Sequence, residues 1–427
     1  MNIAMFIARR IANSSTRGYS GKIIKLAIAS ITVSIAVMIL STAIIVGFKH
    51  EISEKIFGFW GHIHITDTQI NRSFELNPII NDSAITDSVM TIGNLSYRQV
   101  FRDGSVNQGE TRGGVRSITP FVTLPAIINK ADNLEGIILK GVDPSYDWDA
   151  FSSYLIKGSA PEIIDSITST QILISEQTSQ RLVLDVGDRL VLNFVQDRNS
   201  IKRRVEVCGV YKTGLEIYDK RFAFVDLKLL QGVMGWGASQ IGGYEIFVDH
   251  IPDALPIADY IYEEILPPHL YAETIQEKFS NEFEWLELQN INEALLIMLM
   301  IIVAIINMST ALLILILERS RMIGILKSLG QPDWDIRKIF IYNAIWILLI
   351  AIFFGNILGL GIAAIQKFTG FIKLDESNYY LSEVPIKFDV LSILLINVGA
   401  VAIVALVMIL PTYLVTRVSP IKILRFQ

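Results

Sequence analysis

His62 and His64 stand two positions apart, so on a strand both imidazoles share one face, the arrangement a metal pair needs. No cysteine, histidine or carboxylate accompanies them at ligand spacing, and the plainer reading is two strand residues near a membrane. Cys208, the single cysteine of 427 residues, lies in an alternating stretch. It reads as a small buried side chain rather than a nucleophile, and it rules out an intramolecular disulfide framework. Lys202, Arg203 and Arg204, near the tip of an expected hairpin, are the candidate docking point for an acidic partner or lipid headgroups, set against the commoner meaning of a charge run, a solvated face. Gly-x-Ser-x-Gly, His-Glu-x-x-His, Cys-x-x-Cys and the phosphate loop Gly-x-x-x-x-Gly-Lys-[Ser/Thr] do not occur. The chain is therefore expected to have no catalytic residues, to hold no metal and to bind no cofactor of its own. A net charge of -5 is small for this length and offers nothing to nucleic acid.

The elements that carry these residues are set by four apolar runs, Leu26–Phe48, Leu295–Leu317, Ile339–Ile365 and Val390–Val415, none of which contains a charged side chain. Each exceeds the roughly 20 apolar residues a helix needs to cross a bilayer, which fits a chain that is 51% hydrophobic. The first run is longer than a signal-peptide core of about 7–15 residues and is expected to remain as an anchor. Lys and Arg crowd residues 1–25, 318–338 and 416–427, so these segments are expected in the cytoplasm with both termini. Residues 49–294 and the loop 366–389 then face the other side, and most of the soluble mass lies outside the cytoplasm.

The large segment 49–294 reads as an α+β domain. Arg189–Val195 and Lys202–Val210 alternate around a polar turn at Gln196–Ser200 and predict a hairpin. Further strands are expected at Ile137–Leu139, Ile172–Ser175, Phe222–Val225 and Tyr244–Val248. Helices are expected at Glu176–Leu184, Leu227–Met234, Ala254–Glu264 and Ala272–Phe283.

Between the second and third runs, Glu318 to Gly330 combines Arg319, Arg321 and Lys327 with Ile323, Ile325, Leu326 and Leu329; Gly330 ends it and Pro332-Asp333 starts the next helix. Positive charge at a cytoplasmic face explains the basic residues. The apolar ones need a surface to cover them, so the segment is expected to be an amphipathic helix that couples to a partner. The spans carry no ionisable group of the kind an ion-coupled carrier uses. Their polar residues are Ser30, Ser34 and Ser41 in the first, Asn307 in the second, Asn356 in the third and Asn397 in the fourth, and Gly355 and Gly359 form a small-xxx-small pair. Packing within the protomer is the plainer reading of each. The serine stripe, with Asn307, is the best candidate for a face toward a second subunit or a substrate cavity.

Ile306-Asn307-Met308, the loop Glu318–Gly330 and the ending Pro411–Arg417 with Ser419-Pro420-Ile421-Lys422-Ile423-Leu424-Arg425 resemble the FtsX-like permease domain of type VII ABC transporters, here residues 285–427. Ile138-Leu139-Lys140-Gly141-Val142-Asp143-Pro144, Leu184-Asp185-Val186-Gly187-Asp188 and Phe283–Asn290 look like those of the lipoprotein-releasing (LolC and LolE type) permeases, as do the one-plus-three span layout and an amphipathic segment at Ile3–Ile11. The resemblance implies a pair of permease subunits, identical or homologous, in the bacterial inner membrane, with two copies of a separate cytoplasmic ATPase that uses ATP and Mg. It implies that Glu318–Gly330, and within it Gly324, rests on that ATPase, and that about Phe283–Leu317 transmits the stroke. The cargo it implies is an acylated lipoprotein passed to a periplasmic carrier. Met322 stands where the family often has an acidic residue, and the 189–210 hairpin has a short turn where the carrier-docking member has a longer hook. The alternatives are an FtsX- or MacB-like permease used for efflux, or one that controls a cell-wall hydrolase.

Overall fold

The computed structural model describes residues 19–69, 77–100, 106–130, 133–196, 199–375, 379, 381–413 and 415. The expected N-terminal amphipathic segment at Ile3–Ile11 and the tail 416–427 lie outside the described residues. The chain forms two compact units, one of Met1–Glu51, Glu284–Lys373 and Glu383–Gln427, the other of Ile52–Phe283 and Leu374–Ser382.

Among the described residues, four helices are long and apolar enough to cross a membrane. They are α1 (Tyr19–Trp60) and α2 (Ser280–Glu318), then, after the short α3 (Ser320–Ser328), α4 (Asp333–Thr369) and α5 (Val390–Val407). At 42 and 39 residues, α1 and α2 are each about 60 Å long, roughly twice a bilayer's hydrocarbon thickness. Both therefore continue as helix well past the apolar runs that mark them in the sequence. Helix α1 stops at Gly61, whose φ of +73° is the left-handed cap position and whose N–H returns to the Phe57 carbonyl at 2.7 Å.

Small residues set the packing of the membrane unit. A Cβ on Gly355 of α4 would lie 2.7 Å from Ile35 Cβ, and one on Gly359 would lie 3.1 Å from Ala36 Cα, so α1 and α4 touch backbone to backbone at this pair. Around it Ile31, Ile35, Met38 and Ile39 pack with Met308, Leu312 and Leu315 of α2 and with Phe340, Ala344 and Leu348 of α4.

The other unit is built on a ten-stranded sheet. Its strands are β1 (Ile63–Asp67), β2 (Val115–Lys130), β3 (Asn133–Val142), β4 (Leu155–Gly158), β5 (Gln171–Ser175), β6 (Arg189–Gln196), β7 (Asn199–Tyr211), β8 (Phe222–Asp226), β9 (Gly243–Val248) and β10 (Leu270–Thr274). The order is β10-β1-β9-β2-β3-β8-β5-β7-β4, with β6 paired to both β7 and β2. The pairs β3–β8 and β5–β7 are parallel and the rest antiparallel. The 16-residue β2 serves three neighbours because β9 takes its first part, through Phe121, and β6 only Ile127–Asn129. The fold class is the expected one: four apolar helices, one plus three, with a large α+β domain between the first and second.

One helix expectation is corrected. Ala272–Phe283 does not begin as helix: Leu270, Ala272 and Thr274 are buried in alternation on β10, and a capping box between Thr274 and Glu277 starts a helix only at Ile275. Helix Glu176–Leu182 also ends before Leu184, at Val183 in the left-handed region.

Candidate functional site

Helix α3 is nine residues long, follows Arg319 and is closed by Gly330 at φ +84°. Its apolar residues divide between two faces. Ile323 is buried in the core of the membrane unit, with Met322 and Leu326 half-buried against the same core. Ile325 and Leu329 point outward, 49% and 77% exposed, and Arg321 and Glu318 are exposed with them. The expectation that all four apolar residues await a partner is therefore corrected: Ile323 and Leu326 fasten α3 to the membrane unit's own helices, and Gly324 is buried with them. Met322 packs inward too, which explains an apolar residue at that place. Lys327 forms an ion pair with Asp333 of α4 at 2.8 Å, so one of the three basic residues joins the two helices.

Trp334 is not marked by any pattern in the sequence. It stands in the first turn of α4, half exposed, with the Arg337 guanidinium 5.2 Å and the Lys338 ammonium 5.8 Å from its ring. Arg337 also donates to the Ile409 carbonyl at 3.1 Å, tying α4 to the segment after α5. Ile325, Leu329 and Trp334 are thus exposed apolar side chains close together in sequence, with two cations beside the Trp334 ring.

The polar residues of the spans are used mostly on one another. Asn307 of α2 donates to the Ser30 hydroxyl of α1 at 2.5 Å, and the buried Ser34 hydroxyl donates to the Ser30 carbonyl at 3.1 Å. Ser30, Ser34 and Asn307 thus take part in the protomer's own packing, whereas Ser41 is half-buried. The inward stripe of α1 passes through Ser34, Met38 and Thr42, at helical spacing, and Thr42 donates to the half-buried Glu293 carboxylate at 2.6 Å. Lys49 donates to Asn290 at 2.9 Å, and Phe48 meets Trp285 edge-on at 5.8 Å, so the α1–α2 seam is polar along much of its length. Asn356 and Asn397 exchange amide hydrogen bonds of 2.9 and 3.0 Å between α4 and α5. Interhelical bonds of this kind contribute about 0.6–1.7 kcal/mol each. A double-mutant cycle on Ser30→Ala and Asn307→Leu, read by thermal unfolding in detergent, is expected to return a coupling of that size; additive effects would mean that the bond does not stabilise the pair.

The other sequence candidates lie in the sheet domain. Lys202, Arg203 and Arg204 are exposed on β7, in a hairpin where Gln196 pairs with Asn199. Cys208 is half-buried, its thiol 3.3 Å from the Ile172 carbonyl and pushed by burial up to about 11, which suits a packed side chain and not a nucleophile. Among the described residues no group of three potential ligands surrounds a metal position. His62 precedes β1, packed edge-on against Phe57 and Phe247, and its Nδ1 accepts from the Val248 N–H at 2.9 Å. Burial, and then the charge of Arg116, lower its pKa from 6.5 to about 4. The unfolded chain therefore takes up this proton first as pH falls. Stability contributed by neutral His62 is complete above pH 6.5 and is lost as pH falls toward 4, with His64 shifted in the same direction. The loss reaches about 3 kcal/mol. Denaturant midpoints measured from pH 7 to 4 are expected to fall, and less steeply in His62→Gln; equal slopes would remove His62 as the cause.

Residues 294–420 match the FtsX-like permease C-terminal family model, and residues 26–254, more than half of the chain, match the MacB-like periplasmic core domain. The chain belongs to the MacB-like periplasmic core domain family and carries an FtsX-like permease C-terminal domain. This permease is 21% identical to the lipoprotein-releasing system transmembrane protein LolE of Haemophilus influenzae, over 99% of each chain. It is 20% identical to LolC of Neisseria meningitidis serogroup B over 98% of each, and 20% identical to LolC of Xylella fastidiosa over 73% of this permease and 78% of that protein. The solved periplasmic region of MacB from Actinobacillus actinomycetemcomitans is 12% identical and covers 52% of this permease and 92% of that chain, with a TM-score of 0.32. The FtsX-like match contains α3, α4 and α5, and with them the exposed residues Ile325, Leu329 and Trp334.

Proposed function

We propose that this permease is the membrane subunit of an ATP-driven ABC transporter that releases lipoproteins from the inner membrane for transfer toward the outer membrane. The observation that carries the reading is the end-to-end similarity, 98–99% of both chains, to proteins named for lipoprotein release. The outward face of α3 adds to it, since an exposed apolar surface on a connecting loop needs a partner. ATP and Mg belong to two copies of a separate ATPase docked on α3, and a second permease subunit, identical or homologous, completes the membrane assembly. The termini and α3 face the cytoplasm, and the sheet domain faces the periplasm.

Lipoprotein release needs an energy source because acyl chains hold tightly to a bilayer. At about 0.8 kcal/mol per buried CH₂, one 16-carbon chain costs roughly 12 kcal/mol to withdraw. With no ionisable residue inside the apolar runs to carry a coupling ion, the work is supplied by ATP and passed mechanically through α1 and α2 to the sheet domain. The exposed cations Lys202, Arg203 and Arg204 are the site for a periplasmic lipoprotein carrier. The test is reconstitution: the permease with its co-purified ATPase, in proteoliposomes holding a triacylated lipoprotein, should release the lipoprotein to a soluble carrier only when ATP is hydrolysed. ATP hydrolysis without release would favour efflux or control of a cell-wall hydrolase.

A further inference from the structure

Lys140 is the unexpected residue of the sheet. It lies in the Ile138–Pro144 stretch, outside the face assigned to coupling and outside the spans, and its side chain is fully buried at 0% exposure. Its ammonium is 2.7 Å from the buried Glu245 carboxylate of β9, donates to the Phe59 carbonyl at 2.5 Å, and lies between 5.1 and 5.6 Å from the rings of Phe59, Trp60, Tyr146 and Phe224. His64 of β1 completes the cluster: Nε2 is 2.7 Å from the Trp60 carbonyl and Nδ1 is 3.1 Å from the Lys278 ammonium. A ring placed between a carbonyl and an ammonium is neutral, donating from Nε2 and accepting at Nδ1. Burial, and then Lys278, lower its pKa accordingly.

Phe59 and Trp60 are the last two residues of α1, so both carbonyls belong to the negative end of the helix dipole. Lys278 stands two residues before α2 and pairs with Glu273 at 3.0 Å. One buried cluster thus holds the end of α1 and the approach to α2. A buried ion pair is seldom more stabilising than a well-packed apolar pair of the same volume. What an apolar pair lacks is donors that fix the carbonyls of a helix end in one place.

We propose that Lys140, held by Glu245 and assisted by His64, is the positioning clamp that makes the end of α1 move as one piece with the sheet during the ATP-driven stroke, an inference that rests on the transport function proposed above. The test uses the full permease with its co-purified ATPase in proteoliposomes and compares wild type with Lys140→Met and with Lys140→Met/Glu245→Leu. The single variant is expected to melt lower, because Glu245 is left buried and unpaired, and the double variant to recover the melting temperature. In the double variant, amide hydrogen exchange over residues 57–64 should rise roughly tenfold. Lipoprotein released per ATP hydrolysed should fall about fivefold while the hydrolysis rate is kept. Wild-type exchange, or wild-type release per ATP, in a folded double variant would overturn the clamp. If wild type itself releases no lipoprotein, the transport reading fails instead, and the clamp is then decided by whether ATP changes exchange at 57–64 in wild type but not in the double variant. Should the double variant not fold, His64→Leu, which removes the contacts to the Trp60 carbonyl and to Lys278 and leaves Lys140 and Glu245 paired, decides by the same measurements with a change of about threefold.

Discussion

Ile325→Asp combined with Leu329→Asp is expected to abolish co-purification of the ATPase while leaving the permease folded. Both side chains are exposed, at 49% and 77%, so the substitutions leave no hole in the core. Covering a large aliphatic side chain at an interface contributes about 1.5–3 kcal/mol. Losing two such anchors, and burying carboxylates in their place, should weaken binding by roughly a hundredfold or more. Ile323→Asp is the informative contrast. Ile323 is buried against the permease's own helices, so a carboxylate there should lower thermal stability before it affects any partner. Pull-down of the ATPase, together with thermal unfolding of each variant in detergent, separates the two faces of α3. Retained ATPase binding by Ile325→Asp/Leu329→Asp would show that the partner surface lies elsewhere.

Gly355→Val is expected to destabilise the membrane unit strongly. The new Cβ would sit 2.7 Å from Ile35 Cβ and 3.1 Å from the Thr32 carbonyl oxygen, so α1 and α4 must separate at their closest contact. Overpacking of this kind costs about 1–3 kcal/mol and more where backbone must move. The same separation would stretch the Thr32 hydroxyl's 3.3 Å bond to the Ala351 carbonyl. Folded yield and unfolding temperature in detergent should both fall. Ile35→Ala, introduced on the Gly355→Val background, should recover part of the loss by making room for the added methyl groups. No recovery would mean that the strain is relieved elsewhere in the unit.

How much of this was legible in the sequence depends on the range of the signal. The four spans were readable because each is a long uncharged run, a property of neighbouring residues. The same holds for the β6–β7 hairpin and for helix Leu227–Met234, whose patterns are local. Helix α3 was readable as amphipathic, but with Ile323 and Leu326 turned onto the core and Ile325 and Leu329 turned outward, its faces could not be assigned without knowing where α2 and α4 run. Strand β2 was missed because Pro120 and Pro125 interrupt a pattern that central strands normally keep free of proline. The serine pattern of the first span runs through Ser41, one residue from Thr42, whose hydroxyl the helix turns inward to Glu293. Nothing local announces that Lys140, Glu245 and His64 meet, because strands far apart in the chain are brought together only by the sheet order.

The most direct test of the proposed function is to deplete this permease in cells and quantify triacylated lipoproteins in separated inner and outer membranes. Lipoprotein release predicts that cargo normally found in the outer membrane accumulates in the inner membrane as the permease is lost, and that Ile325→Asp/Leu329→Asp fails to correct it. An unchanged distribution between the two membranes would contradict lipoprotein release by this chain.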